Sequence, residues 1–145
     1  MSAAAPRVSV VMAVLDGAAY LAEALGSVFA QSFGDLELIV VDDGSTDATP
    51  AILAACPDPR LRVLRNSQTL GLTRSLNIAL EAARGEYVAR LDADDVADQR
   101  RLALQVAFLD AHPDHVIVGS GYRVIDARGA VRAQVVKPML DLEVR

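Results

Sequence analysis

Tryptophan is absent from this 145-residue chain, and three Phe with three Tyr bring the aromatic share to 4%. That argues against a sugar- or base-stacking platform built from this chain alone. The single cysteine, Cys56, excludes an internal disulfide and a cysteine-based zinc site, and it fits a reduced, cytoplasmic setting. Lysine is nearly missing: Lys137 stands alone and every other basic residue is an arginine, a composition effect common in GC-rich bacteria. Positive charge is in deficit. Lys and Arg number 14 against 19 Asp and Glu, for a net charge of -5 and an isoelectric point near 4.9. Such a chain repels nucleic acid and anionic lipid, so no nucleic-acid partner is expected. No run approaches the roughly 18 apolar residues of a membrane span. Residues 1–7 lack the basic stretch and apolar core of a secretory signal. No G-x-x-x-x-G-K-[ST] sequence occurs, which excludes a Walker-type NTPase.

What is there is an ordinary folding composition, 52% hydrophobic and 23% charged, on a length that suits one domain. Short β-rich runs alternate with helical stretches. Val8 to Val14 and Leu36 to Val41 are nearly continuous apolar runs, as expected of strands buried on both faces. Leu61 to Leu64, Glu86 to Leu91 and Val116 to Val118 predict three further strands. Leu21, Leu25, Val28 and Phe29 share one face of a helix. A second helix is expected from about Thr49 to Cys56, stopped by Pro57 and Pro59, and a third between Gly71 and Gly85. A fourth runs from about Asp98 to His112. Tyr122 to Asp126 and Ala130 to Val136, around Arg128-Gly129, read as a hairpin. Alternation of this kind predicts an α/β fold, a mainly parallel sheet with helices on both faces, ending in a β-hairpin.

In such sheets ligands bind outside the carboxyl ends of the strands. Asp16 follows the first strand, Asp42 and Asp43 the second, and Asp92, Asp94 and Asp95 the fourth. The fold gathers these acids along one edge, where they persist only if a cation, a proton or a donor-rich ligand compensates them. Asp92-Ala93-Asp94 sets carboxylates on alternate residues, suited to a magnesium or manganese ion that completes its shell with water and substrate phosphates. Asp42-Asp43-Gly44-Ser45 is a turn ahead of a helix, where a carboxylate can accept from a base N–H or a ribose hydroxyl. Asp-Asp-Gly-Ser is also a good turn-plus-cap sequence, and Asp-rich loops are commonly just solvated.

The segments Val8 to Gly17, Ser27 to Phe33 and Glu37 to Asp47 resemble the start of the family-two glycosyltransferases with the GT-A fold. The likeness continues through Asn66, Gly71, Ser75 to Asn77, Ala83 to Tyr87, Leu91 to Asp95, Arg101 to Gln105, and His112 to Asp114. It covers nearly the whole chain in order. The resemblance implies a nucleotide-diphosphate sugar donor, most commonly a UDP-sugar, and a divalent metal, Mn2+ or Mg2+. By position, Asp43 matches the acid that hydrogen-bonds the base, and Asp16 sits in the loop lining the nucleotide pocket. Asp92 faces the ribose or sugar, Arg74 approaches the nucleotide from a helix start, and Asp94 matches the metal ligand, with Asp95 beside it. The implied reaction is an inverting transfer to a glycan or lipid-linked acceptor, peripheral to the inner membrane face if not fully cytoplasmic. Asp94, committed to a metal, is not its base.

Two departures stand out. Leu15-Asp16 replaces the Tyr-Asn type of pair usual in that first loop. Family members also continue well past the position of Arg145, and their later half supplies the acceptor pocket and the catalytic base. Asp141 and Glu143 lie in a short tail that offers no convincing base. The expectation is a single nucleotide-diphospho-sugar-binding domain over 1–145 that lacks the acceptor-binding half, with an exposed edge favouring a homodimer. The alternative is a non-catalytic nucleotide-sugar-binding or interaction domain. Other constellations are bland. Gly119-Ser120-Gly121 has Val124 where a dinucleotide fingerprint needs glycine. Lys137 follows the hairpin, not a late strand as a receiver domain requires. The first loop is neither Gly-rich nor basic, as a nucleotidyltransferase needs. His112 and His115 flank a turn, and Cys56 has no evident base.

Overall fold

Continuous apolar runs must be covered on both sides, and strands β1 (Val8–Val14) and β2 (Leu36–Asp42) occupy the middle of a parallel sheet accordingly. The structure, a computed structural model, describes residues 5–136. Lys137, Asp141 and Glu143 lie outside the described residues. Helix α1 (Leu21–Phe29) leads to β2, and α2 (Thr49–Ala55) leads to β3 (Leu61–Arg65). Helix α3 (Leu72–Ala82) leads to β4 (Tyr87–Arg90). The sheet order is β3-β2-β1-β4, with every pairing parallel.

Right-handed crossovers then dictate the layers. The two steps from β1 to β2 and β2 to β3 run one way and set α1 and α2 on one face. The step from β3 back to β4 runs the other way and sets α3 on the opposite face. Side chains follow this division. Val11, Ile39 and Val41 pack with Ala79, Leu76 and Ile78 of α3. Val10, Met12, Leu38 and Val40, on the other face by the two-residue period, are equally buried, as are Leu21, Leu25 and Val28 of α1. Each such aliphatic side chain contributes about 1.5–3 kcal/mol of transfer free energy.

Gly85 departs from its expected role. The C-cap of α3 is Ala83, in extended conformation, and Gly85 has no positive φ. A Cβ at Gly85 would stand 2.5 Å from the Ser9 nitrogen and 2.8 Å from the Val8 carbonyl carbon. The glycine is needed because the chain passes hard against β1 before entering β4.

A boundary between two compact units falls within helix α4 (Arg101–Ala111), between Leu104 and Gln105. In the second unit, β5 (Tyr122–Ile125) and β6 (Val131–Val135) form the expected antiparallel hairpin. Its turn is organised by Asp126, whose Oδ1 accepts from the Arg128 and Ala130 N–H groups, with Gly129 at φ 78°. The fifth strand expected at Val116–Val118 is not formed. Val116 is 95% and Ile117 80% exposed, and no described residue pairs with the segment. A β-branched triplet satisfies a strand pattern, but a strand without a partner has no ladder to join. His112 stacks on Phe108 and donates from Nδ1 to the Phe108 carbonyl oxygen, 2.8 Å away, an ordinary turn arrangement. Among the described residues no helix is long and apolar enough to cross a membrane.

Candidate functional site

Strand β1 sends its connection toward β2 on one side, while β4 lies on its other side. The carboxyl ends of β1 and β4 therefore flank the point where the winding direction changes, where a crevice forms. A cleft of about 350 Å3 opens there. Val14, Asp16 and Gly17 line it from the end of β1, Asp92 and Asp94 from the end of β4, and Tyr20 and Leu72 from the starts of two helices. Its size is in the range of small-ligand sites.

The β1 loop is held by the segment after β2. Asp16 adopts φ 51°, a left-handed conformation for which Asp is one of the tolerant residues. Its N–H donates to Ser45 Oγ at 2.9 Å, Gly17 N–H to Thr49 Oγ1 at 2.9 Å and Ala18 N–H to Asp47 Oδ2 at 3.0 Å. In return, Asp16 Oδ1 accepts from Thr46 N–H at 2.8 Å and from Asp47 N–H at 3.3 Å. Asp16 Oδ2 accepts no hydrogen bond among the described residues. Ser45, Asp47 and Thr49 thus position this loop, a role beyond the turn and helix N-cap that their residue types after β2 suggest. Capping-type residues after a strand were visible, but not the loop that they hold.

Asp42 and Asp43 are both buried. Asp42 Oδ1 accepts from Ser45 N–H at 2.8 Å, and Arg65 lies 3.5 Å from Oδ2, so this residue is structural. Asp43 does not line the cleft. Its Oδ1 accepts from Asn66 Nδ2 at 2.7 Å and from Leu70 N–H at 2.8 Å, and its Oδ2 from Gly71 N–H at 2.8 Å. Burial pushes the Asp43 carboxyl up, but these donors together outweigh it and hold the group below its ordinary value. Gly71, at φ 92°, hands the chain directly to α3 and to Leu72 in the cleft wall. A carboxylate has about four lone-pair positions, and the Ser75 hydroxyl adds a further hydrogen bond to those from Asn66, Leu70 and Gly71, so Asp43 is filled by its own surroundings.

The acids after β4 are unequal. Arg90 donates to both oxygens of Asp92, from Nε at 2.9 Å and Nη2 at 3.1 Å. Asp94 is exposed and accepts no hydrogen bond among the described residues. Asp95 is raised above its ordinary value by burial first, then by the Asp94 and Asp92 carboxylates; Arg101 and Arg90 offset this in part. Arg74, in the first turn of α3, is exposed, and no partner is recorded for it among the described residues. It stands two residues beyond Leu72 and does not itself line the cleft. No set of three His, Cys, Asp or Glu side chains converges as a metal cage among the described residues. An ion that takes one or two carboxylates and fills its shell with water and phosphate needs no such cage, and Asp94 with Asp92 beside it fits that requirement.

A second cleft, of about 250 Å3, lies at the opposite, amino-terminal edge of the sheet. Its arginines are turned onto acids: Arg62 and Arg84 onto the buried Glu37, and Arg60 onto Asp58. That is an internal ion-pair network, not a vacant anion site.

Comparison with known proteins agrees with this architecture. The protein-family model described as glycosyl transferase family 2 matches residues 9–138. A putative glycosyltransferase, EpsE, of Bacillus subtilis (strain 168) is 41% identical over 90% of this chain and 48% of its own length. The succinoglycan biosynthesis protein ExoO of Rhizobium meliloti (strain 1021) is 40% identical over 73% of this chain and 30% of its own. Among solved structures, S. aureus TarS 1–349 in complex with UDP-GlcNAc superposes with a TM-score of 0.70. It is 32% identical over 74% of this chain and 32% of its own. The mannosyltransferase PcManGT from Pyrobaculum calidifontis, in complex with GDP-Man and Mn2+, gives 0.66 at 33% identity, over 72% of this chain and 32% of its own. The chain thus spans about half or less of the length of these relatives. The GT-A-type sheet, the order of its motifs and a match running from Ser9 almost to the chain's end leave one assignment: this chain belongs to glycosyl transferase family 2.

Proposed function

We propose that the cleft at the ends of β1 and β4 binds a nucleotide-diphosphate sugar, a UDP-sugar first among candidates, as donor for an inverting, metal-assisted transfer. One observation carries this reading: Asp16, Asp92 and Asp94, from stretches some eighty residues apart, share one cleft wall at the switch point. TarS with UDP-GlcNAc and PcManGT with GDP-Man and Mn2+ support the donor class and the metal. In this proposal Asp94 would hold a divalent cation, which when bound would supply positive charge to stabilise the departing nucleoside diphosphate. Asp92 and the free oxygen of Asp16 accept from ribose or sugar hydroxyls. Asp43, filled by its own surroundings, serves the base through the Leu70–Gly71 turn that it holds ahead of Leu72 in the cleft wall, and Arg74 meets the diphosphate. An acceptor hydroxyl, on a glycan or lipid-linked glycan, gives its proton to a carboxylate other than Asp94 and attacks the anomeric carbon as the phosphate oxygen leaves. A cytoplasmic setting, peripheral to the inner membrane face for a lipid-linked acceptor, and a homodimer complete the proposal.

The test is a thermal-shift screen of UDP- and GDP-sugars with and without Mn2+. A ligand bound to the folded state at a hundred times its Kd stabilises by about 2.7 kcal/mol, a rise of several degrees. The expected result is a Mn2+-dependent rise with one donor that disappears in Asp94→Ala. No shift with any nucleotide overturns the proposal. A shift without transfer or hydrolysis of the donor leaves a nucleotide-sugar-binding module.

A further inference from the structure

Arg90 is the last residue of β4 and reaches both oxygens of Asp92 in the two-pronged geometry that fits a guanidinium to a carboxylate. The strand end that carries it is itself tied, because Arg101 Nη2 donates to the Arg90 carbonyl oxygen at 2.8 Å. Asp94, two residues beyond Asp92, has no such partner among the described residues. Of the two carboxylates in Asp92-Ala93-Asp94, one is engaged by a cation of the chain and one is open.

We propose that Arg90 is a positioning residue that withholds Asp92 from the metal. Asp94 is then the one carboxylate of the pair offered to it, and a divalent cation binds tightly only together with the nucleotide diphosphate. The inference rests on the donor-binding reading above and deepens it. Two carboxylates on one Mn2+ would hold the ion without a substrate, whereas one carboxylate leaves most of the shell to water until phosphate oxygens arrive. Arg90 also sets a positive charge next to the cation's position, which lowers affinity for the bare ion and suits an incoming diphosphate. The Arg90 and Asp92 side chains are 54% and 44% exposed, so the pair is weak enough to be measurably disturbed by substitution.

The experiment is calorimetric titration of Mn2+ alone into four proteins: wild type, Arg90→Ala, Asp92→Asn and the double variant. Arg90→Ala is expected to tighten Mn2+ binding by about three- to tenfold when Asp92 is present. In the Asp92→Asn background the same change should gain about twofold or less, the share owed to losing a nearby positive charge. Arg90→Lys, which keeps the charge but not the two-pronged bond, should fall between wild type and Arg90→Ala, and it carries the comparison if the alanine variant folds poorly. Equal gains with and without Asp92 overturn the proposal. So does wild-type protein that binds Mn2+ as tightly without nucleotide as with it. Failure of wild type to respond to nucleotide plus Mn2+, or persistence of that response in Asp94→Ala, strikes the donor-binding reading instead. With that response intact, equal gains strike Arg90 alone.

Discussion

Asp43 and Asp94 each follow a parallel strand within a few residues, and what surrounds them divides their work. Asp43 is 3% exposed and accepts from the Asn66 and Ser75 side chains and from the backbone N–H groups of Leu70 and Gly71. Asp94 is exposed and accepts from none among the described residues. Asp43→Asn puts an amide where both oxygens now accept, so at least one N–H of the Leu70–Gly71 turn loses its partner. The expected cost is about 2–3 kcal/mol in urea unfolding at pH 7, the worth of hydrogen bonds to a charged acceptor. Nucleotide affinity should fall with it, because the turn carries Leu72 into the cleft. Asp94→Ala should change stability by no more than about 0.5 kcal/mol while removing the metal response. Equal unfolding midpoints for wild type and Asp43→Asn would show that the buried carboxylate is not holding the turn.

At the scale of elements, the amino-terminal edge of the sheet is closed by Glu37. Its Oε1 accepts from Ser9 Oγ and Arg84 N–H, and its Oε2 from Arg62 Nη1 and the Arg84 guanidinium. This ties β1, β2, β3 and the end of α3 together. Burial pushes the Glu37 carboxyl up, but Arg84, Ser9 and Arg62 pull it down from 4.5 to about 2. A carboxyl lowered in the folded state adds stability that is complete above its unfolded pKa and is lost as pH falls toward the folded one. Wild type should therefore exceed Glu37→Gln by about 2 kcal/mol at pH 7, discounting for the half-exposed arginines, and that gap should close as pH falls from 4.5 to about 2. Unfolding curves for the two proteins across that range check it, and a gap independent of pH would refute it. None of these partnerships is legible in the sequence, because Ser9, Glu37, Arg62 and Arg84 meet only once the strands are in order. Strands β1 and β2 were legible, since burial on both faces demands an apolar run that no other element of that length needs. So was the hairpin, from Arg128-Gly129. Gly85 was read as a helix end when its reason is close approach to Ser9. Val116–Val118 carried the composition of a strand without a pairing partner. In the site, the acids could be read from their position after strands. What could not be read is that Asp43 is occupied by its own loop and that Asp92 is held by Arg90.

Across the sheet of the first unit, charge is sorted by edge. The amino-terminal edge pairs its arginines with Glu37 and Asp58. The carboxyl-terminal edge sets Asp16, Asp92, Asp94 and Asp95 against Arg90 and Arg101, and the rise of the Asp95 carboxyl reflects burial together with that local excess of negative charge. With a net charge of -5 over the chain, a bare nucleoside diphosphate approaches a field of its own sign. Raising NaCl from about 10 to about 100 mM shortens the screening length from about 30 Å to about 10 Å and should reduce that repulsion. UDP without metal is therefore expected to bind about twofold more tightly at the higher salt. With Mn2+ present the order should reverse, because salt now screens the attraction between Asp94 and the cation. Titrations of UDP at the two salt concentrations, with Mn2+ and with EDTA, measure both slopes. Slopes of the same sign would mean that the cation does not sit among these carboxylates.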